Sequence, residues 1–250
     1  MSSPTVYFIA GASRGIGLAL VKELITNRSN VYVFAGARGT APTLEKLVAD
    51  HSDRMSIVRF VSADESSNRE AAKIIGDKFG RVDTVMFVAG AGATSYLSVV
   101  SRLRIVAIFQ VNVIGMIVLF QAFIPLLKKS KNPKFLPFSS AAASITAYTD
   151  LQNGYGAYGA SKVALNYLAR KIHFENKWLT CFPFSPGIIM TELAYKNRAM
   201  DKIGTLAHYQ DTLGVTPEVG AKMLLDITES ATRETHGGEF INLDGLKVPW

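Results

Sequence analysis

The chain has 250 residues, 48% hydrophobic and 19% charged, with 27 Lys and Arg against 20 Asp and Glu for a formal charge of +7. That balance excludes a disordered chain, and the length suits a single α/β domain spanning 1–250. The lone Cys181 excludes a disulfide framework and a multi-cysteine metal site. The four histidines lack ligand spacing, so no metal is expected.

Short β-branched runs alternate with helical patterns from end to end. The first ten residues lack a basic stretch ahead of their apolar run, so no targeting segment is expected. A strand is predicted at Thr5–Ala10 and a helix at Gly15–Thr26, followed by strands at Asn30–Ala35 and Ser56–Val61. A helix at Glu65–Phe79 leads to a strand at Val82–Val88 and a long helix at Ser101–Leu127. The apolar run Val111–Leu127 carries Asn112, Gln121 and Pro125 and falls short of the ~20 apolar residues of a spanning helix. A soluble, cytoplasmic protein without a membrane partner is the expectation. Next come a strand at Lys134–Ser139, a helix at Ala157–Glu175 and a strand at Leu179–Phe184. The irregular stretch 188–215 reads as a substrate lid, and a helix at Pro217–Ser230 and a strand at Glu239–Asn242 complete the chain. Seven strands with crossover helices imply a doubly wound (Rossmann) parallel sheet with helices on both faces and ligands at the strands' carboxyl ends.

Three groups of residues carry chemistry. Ala10-Gly11-Ala12-Ser13-Arg14-Gly15-Ile16-Gly17 joins the first strand to the first helix. Its glycines allow a tight turn and let a pyrophosphate reach the helix N-terminus, where N–H groups and the dipole favour an anion. After the second strand the acid that would hold a ribose 2′-hydroxyl is missing, and Arg38 stands in its place with Arg14 in the loop. Two cations there suit a 2′-phosphate and point to NADP(H). Tyr158 and Lys162, four apart at the start of a helix, share one face, so the ammonium is expected to depress the phenol's pKa. Tyr148 and Tyr155 lack a lysine at that spacing, having Gln152 and Gly159 instead. Ser139-Ser140 ends the preceding strand. The basic residues do not interleave with aromatics, so no nucleic-acid partner is expected.

With these motifs the whole chain resembles the short-chain dehydrogenase/reductase family, and within it the fungal norsolorinic acid ketoreductases. Lys171 to Thr180 and Asp244 to Trp250 carry the closer likeness. The resemblance implies that Tyr158 protonates a carbonyl oxygen while NADPH delivers hydride, with Lys162 lowering the phenol's pKa and holding the nicotinamide ribose. It implies that Ser140 orients the carbonyl and Asn112 supports a proton-relay water. Gly11, Ser13, Arg14, Gly15, Ile16 and Gly17 would cradle the cofactor, with Arg38, Asp64 at the adenine, Ala89 and Gly90. Pro186, Gly187, Ile189 and Thr191 would flank the nicotinamide. A homodimer or homotetramer is implied, as is a bulky, aromatic or polycyclic ketone or aldehyde of secondary metabolism as substrate.

The chain also departs from the family pattern. Ala10 replaces a threonine, and Phe87-Val88-Ala89-Gly90 replaces Asn-Asn-Ala-Gly. Ser140 lies 18 residues before Tyr158 rather than about 13, an insert around Tyr148–Tyr155 that reshapes the substrate pocket and leaves Ser144 as a second serine candidate. The losses at Ala10 and Val88 keep open an isomerase or cyclase built on the same fold, or a non-catalytic NADPH-binding protein.

Overall fold

In β1 (Thr5–Ala10) every residue after the first is buried: Tyr7 and Ile9 face one side of the sheet, Val6, Phe8 and Ala10 the other. A strand apolar on both faces must be covered on both, and the chain does so with helices. The computed structural model describes residues 3–92, 95–150, 154–201 and 204–250. Crossing from β1 through α1 (Gly15–Asn27), the chain continues as β2 (Val31–Ala37), α2 (Pro42–Asp50), β3 (Met55–Arg59) and α3 (Glu65–Phe79). Then follow β4 (Thr84–Phe87), α4 (Arg102–Phe109), a π-helical turn (Gln110–Ile114), α5 (Gly115–Leu127) and β5 (Lys134–Pro137). A 3₁₀ turn (Ala141–Ala143) precedes α6 (Gly156–Glu175), β6 (Thr180–Cys181), β7 (Phe184–Ser185) and β8 (Ile188–Ile189). The remainder is α7 (Glu192–Met200), α8 (Thr205–Leu213), β9 (Gly214–Val215), α9 (Pro217–Ser230) and β10 (Ile241–Asn242).

The strands β3-β2-β1-β4-β5-β6 form one six-stranded parallel sheet. The sequence suggests seven. Its sixth run, Leu179–Phe184, is broken at Pro183, which has no N–H for the ladder. The run resumes as β7, bridged to β5's end through Phe138 and Phe184 and paired in parallel with β10, so the seventh strand shortens to two residues. One apolar layer packs Leu20, Leu24, Leu224 and Leu225 of α1 and α9 on the sheet; the other packs Ile75, Phe123 and Leu165 of α3, α5 and α6.

Two further corrections concern helices. α2 is absent from the sequence reading because only Leu44 of it is buried and the apolar stripe is thin. Arg102–Leu127 is helical throughout, and by length and composition its 26 residues could cross a membrane, contrary to the sequence reading. Two tethers make it a layer of this fold. A Cβ on Gly115 would stand 1.8 Å from Ser62 Oγ, and the buried Asn112 bonds to residues of two other segments. The stretch expected to be an irregular lid is largely ordered as β8, α7, α8 and β9; residues 202–203, and 151–153 of the insert (Gln152 among them), lie outside the described residues.

Candidate active site

The carboxyl ends of β1, β4 and β5 meet at the point where strand order reverses, where open α/β sheets place ligands. Gly11 turns the chain there with φ +107°, and its N–H and that of Ala12 donate to Gly36 O at 3.2 and 2.8 Å. A Cβ on Gly11 would lie 2.6 Å from Ala89 N, and one on Gly17 only 2.1 Å from Gly11 O, so neither position admits a side chain. Gly15 (φ +56°) opens instead onto Thr191, the side-chain cap of α7, 3.7 Å from where its Cβ would be. Ser13 and Arg14 are exposed and Ile16 is half-buried. The first turn of α1 has neither a capping side chain nor an acid, so its N–H groups face the cleft unneutralised. Exposed Arg38 follows directly on β2, and among the described residues neither it nor Arg14 forms an ion pair. This cradle fits a nicotinamide dinucleotide, whose pyrophosphate the free N–H groups of α1 would take.

The ends of β1 and β4 are joined through backbone. Ala10 O accepts from both Val88 N (3.0 Å) and Ala89 N (2.8 Å), tying β1's end to β4's. Asp64 caps α3, accepting from Ser67 N at 2.6 Å, and that hydrogen bond holds its carboxyl below the ordinary range. Asn112, wholly buried in the π turn, accepts from Ala91 N at 2.8 Å and donates to Ala91 O and Ser161 Oγ, both at 2.9 Å. Both its amide ends are thereby committed to bracing the strand end that carries Gly90. A Cβ on Gly90 would stand 3.7 Å from Lys162 Nζ.

Ser140, Tyr158 and Lys162 converge next to this brace. The Ser140 hydroxyl accepts from Ala142 N at 3.3 Å and lies near enough to the Tyr158 phenol to hold its pKa down. Ser144 is fully buried and accepts from Ala147 N at 3.1 Å, so it serves its own turn. Lys162 Nζ donates to Phe138 O at 2.6 Å and lies 5.6 Å from the Tyr158 ring centre. Burial outweighs the depression of the phenol's pKa expected from Lys162. Desolvation pushes Tyr158 up to about 12, with the nearby Ser140 hydroxyl opposing it, and pulls Lys162 down to about 7. The lysine reaches past the phenol to a carbonyl at β5's end.

Pro186 and Gly187 (φ +64°) follow β7, and Ile189 is buried in β8. Of the predicted lid residues, Leu193, Tyr195 and Met200 are exposed on α7, while Leu206, His208 and Tyr209 lie on α8. Sequence reasoning passed over three groups: Ser161, which pins Asn112; the Phe138 carbonyl, which backbone chemistry hides from sequence; and Tyr155, whose ring lies 5.6 Å from that of Tyr158. Its place three residues before Tyr158 on one helix face was the available signal. Trp250 folds back onto its own chain. Its carbonyl accepts from Thr146 N (3.1 Å) and Thr146 Oγ1 (2.8 Å), and its indole meets Arg170 and Phe240.

Residues 5–202 match the family model described as short chain dehydrogenase. An uncharacterized oxidoreductase of Schizosaccharomyces pombe is 36% identical, with 98% of each chain covered. The norsolorinic acid ketoreductase of Aspergillus parasiticus is 31% identical, covering 98% of this chain and 91% of its own. Among solved structures, an NADPH-bound carbonyl reductase from chicken fatty liver superposes over the full length of both chains with a TM-score of 0.87 at 24% identity. The chain therefore belongs to the short-chain dehydrogenase/reductase family and is an oxidoreductase acting on CH–OH and C=O groups.

Proposed function

We propose that the protein is an NADPH-dependent ketoreductase of a bulky aromatic or polycyclic ketone, with Tyr158 as its general acid. The convergence of Ser140, Tyr158 and Lys162 beside the glycine cradle carries this reading. Gly11, Ser13, Arg14, Gly15, Ile16 and Gly17 would hold the pyrophosphate end, Arg14 and Arg38 the 2′-phosphate, and Asp64 the adenine. Ala89, Gly90, Pro186, Gly187, Ile189 and Thr191 would wall the nicotinamide, which supplies a hydride when bound.

The chain's own residues manage the proton. Tyr158, with its pKa pushed up, stays protonated across the neutral range and donates its phenol proton to the carbonyl oxygen as the carbon gains hydride. Ser140 orients that oxygen from the other side. Lys162 aligns the site from Phe138 O, and Asn112 holds Ala91 and Ser161 so that the strand end and α6 keep their spacing. The partner proposed for exposed Leu103 and Val106 of α4 and Tyr167 and Phe174 of α6 is a second copy of this chain. The double tie through Ala10 O leaves the site braced despite its missing side chains, which favours reduction over a repurposed fold.

The test is oxidation of NADPH with a bicyclic aromatic ketone, followed in parent and Tyr158→Phe. The variant is expected to lose at least ~100-fold in kcat/KM while keeping its affinity for NADPH. Near-parental turnover would refute the assignment of the acid.

A further inference from the structure

Between Ser140 and Tyr158 the chain builds the wall of a cavity of about 520 Å³, lined among others by Tyr96, Leu97, Tyr148, Tyr155 and Gly159. Tyr155 links this wall to the catalytic helix. It is the cap of α6, and its carbonyl accepts from Gly159 N at 2.6 Å, fixing it to the first turn of the helix that carries Tyr158 and Lys162. Its ring meets the Tyr158 ring at 5.6 Å and 54°, a tilted aromatic contact. Its phenol oxygen accepts a hydrogen bond from Asn197 Nδ2 at 3.1 Å.

Asn197 belongs to α7, which buries none of its side chains. Among the residues of α8 only Gln210 is buried. The two helices hold each other: Arg198 pairs with Asp211 at 2.6 Å, and Gln210 Nε2 donates to Ala194 O at 2.8 Å. They form a small body with little apolar attachment, and such a body opens easily. A polar contact to the catalytic helix then weighs heavily in fixing its place.

We propose that Tyr155 is a positioning and size-selecting residue of the substrate site: its ring backs Tyr158 and its phenol, through Asn197, holds the α7–α8 segment against the catalytic helix, setting the room for a flat aromatic ketone. The proposal rests on the reductase reading above. Burial pushes the Tyr155 phenol above its ordinary value, so it stays neutral and keeps this hydrogen bond across the working pH range.

Tyr155→Phe keeps the ring and removes the hydrogen bond; Asn197→Leu removes its other half. Each is expected to raise KM for a bicyclic aromatic ketone roughly 5- to 10-fold, the factor of one ordinary hydrogen bond. For a small ketone such as cyclohexanone the rise is expected to be about twofold or less, and the double variant to be no worse than either single one. Additive effects, equal effects on both ketones, or a parallel weakening of NADPH binding would overturn the proposal. Hydrogen exchange reads the same contact without turnover: amides of α7 should exchange several-fold faster in Tyr155→Phe, with α9 unchanged. Unchanged α7 exchange would overturn the latch. A parent protein that reduces no ketone would overturn the reductase reading instead, leaving exchange to decide the latch.

Discussion

At the scale of single residues, Lys162 is the group to watch, because burial draws its pKa to about 7, within the working range. Its folded value is depressed, so the ammonium is complete below pH 7 and is lost as pH rises through it. Tyr158, pushed up to about 12, does not titrate in that window. The kcat/KM for ketone reduction is therefore expected to fall above about pH 7 by up to tenfold per unit, in a profile recorded between pH 5.5 and 9. A flat profile would separate the lysine's charge from the reaction. Arg38 makes a second residue-level case, since its guanidinium is exposed and pairs with no anion among the described residues. Arg38→Asp is expected to weaken NADPH roughly 10- to 100-fold and to leave NADH unchanged or improved, as read by fluorescence titration. Equal loss for both nucleotides would deny the arginine its phosphate.

At the scale of elements, the junction of β1 and α1 is built on contact distances that only glycine meets. Gly17→Ala would press a methyl group to within 2.1 Å of Gly11 O, which is backbone and cannot step aside. A loss of about 2–4 kcal/mol in urea unfolding is expected, with NADPH affinity falling alongside. Gly39→Ala is the matched control, since nothing lies within 4 Å of its missing side chain. This junction was legible in sequence because a turn that forbids side chains leaves glycines at fixed spacing. The helices α3 and α9 were legible as well, each ending where the apolar period stops. Elements with little to bury escaped: α2 shows one buried residue and α7 none. In the candidate site, the neighbourhood of Ser140, Tyr158 and Lys162 was expected from their spacing and from the family resemblance. The destination of the lysine's ammonium was not, because a backbone carbonyl leaves no mark on the sequence.

At the scale of the whole molecule, α4 and α6 turn the large apolar side chains Leu103 (77% exposed), Val106, Tyr167 (66% exposed) and Phe174 outward. Sedimentation is expected to give a dimer or tetramer, and Leu103→Asp combined with Tyr167→Asp to give monomers that stay folded. A monomeric parent would remove the second copy from the account.

The pairing of Thr146 with Trp250 has a consequence of its own. The nucleotide end of the cleft is closed by contacts inside the first forty residues, Gly11 and Ala12 to Gly36. Thr146 and Trp250, by contrast, are joined across a separation of 104 residues. Contacts over long spans are the last to repay the entropy of closing them. Under mild stress the two contacts should therefore part company. The Thr146–Trp250 tie is expected to open first, leaving the Gly11–Gly36 turn in place until the sheet itself unfolds.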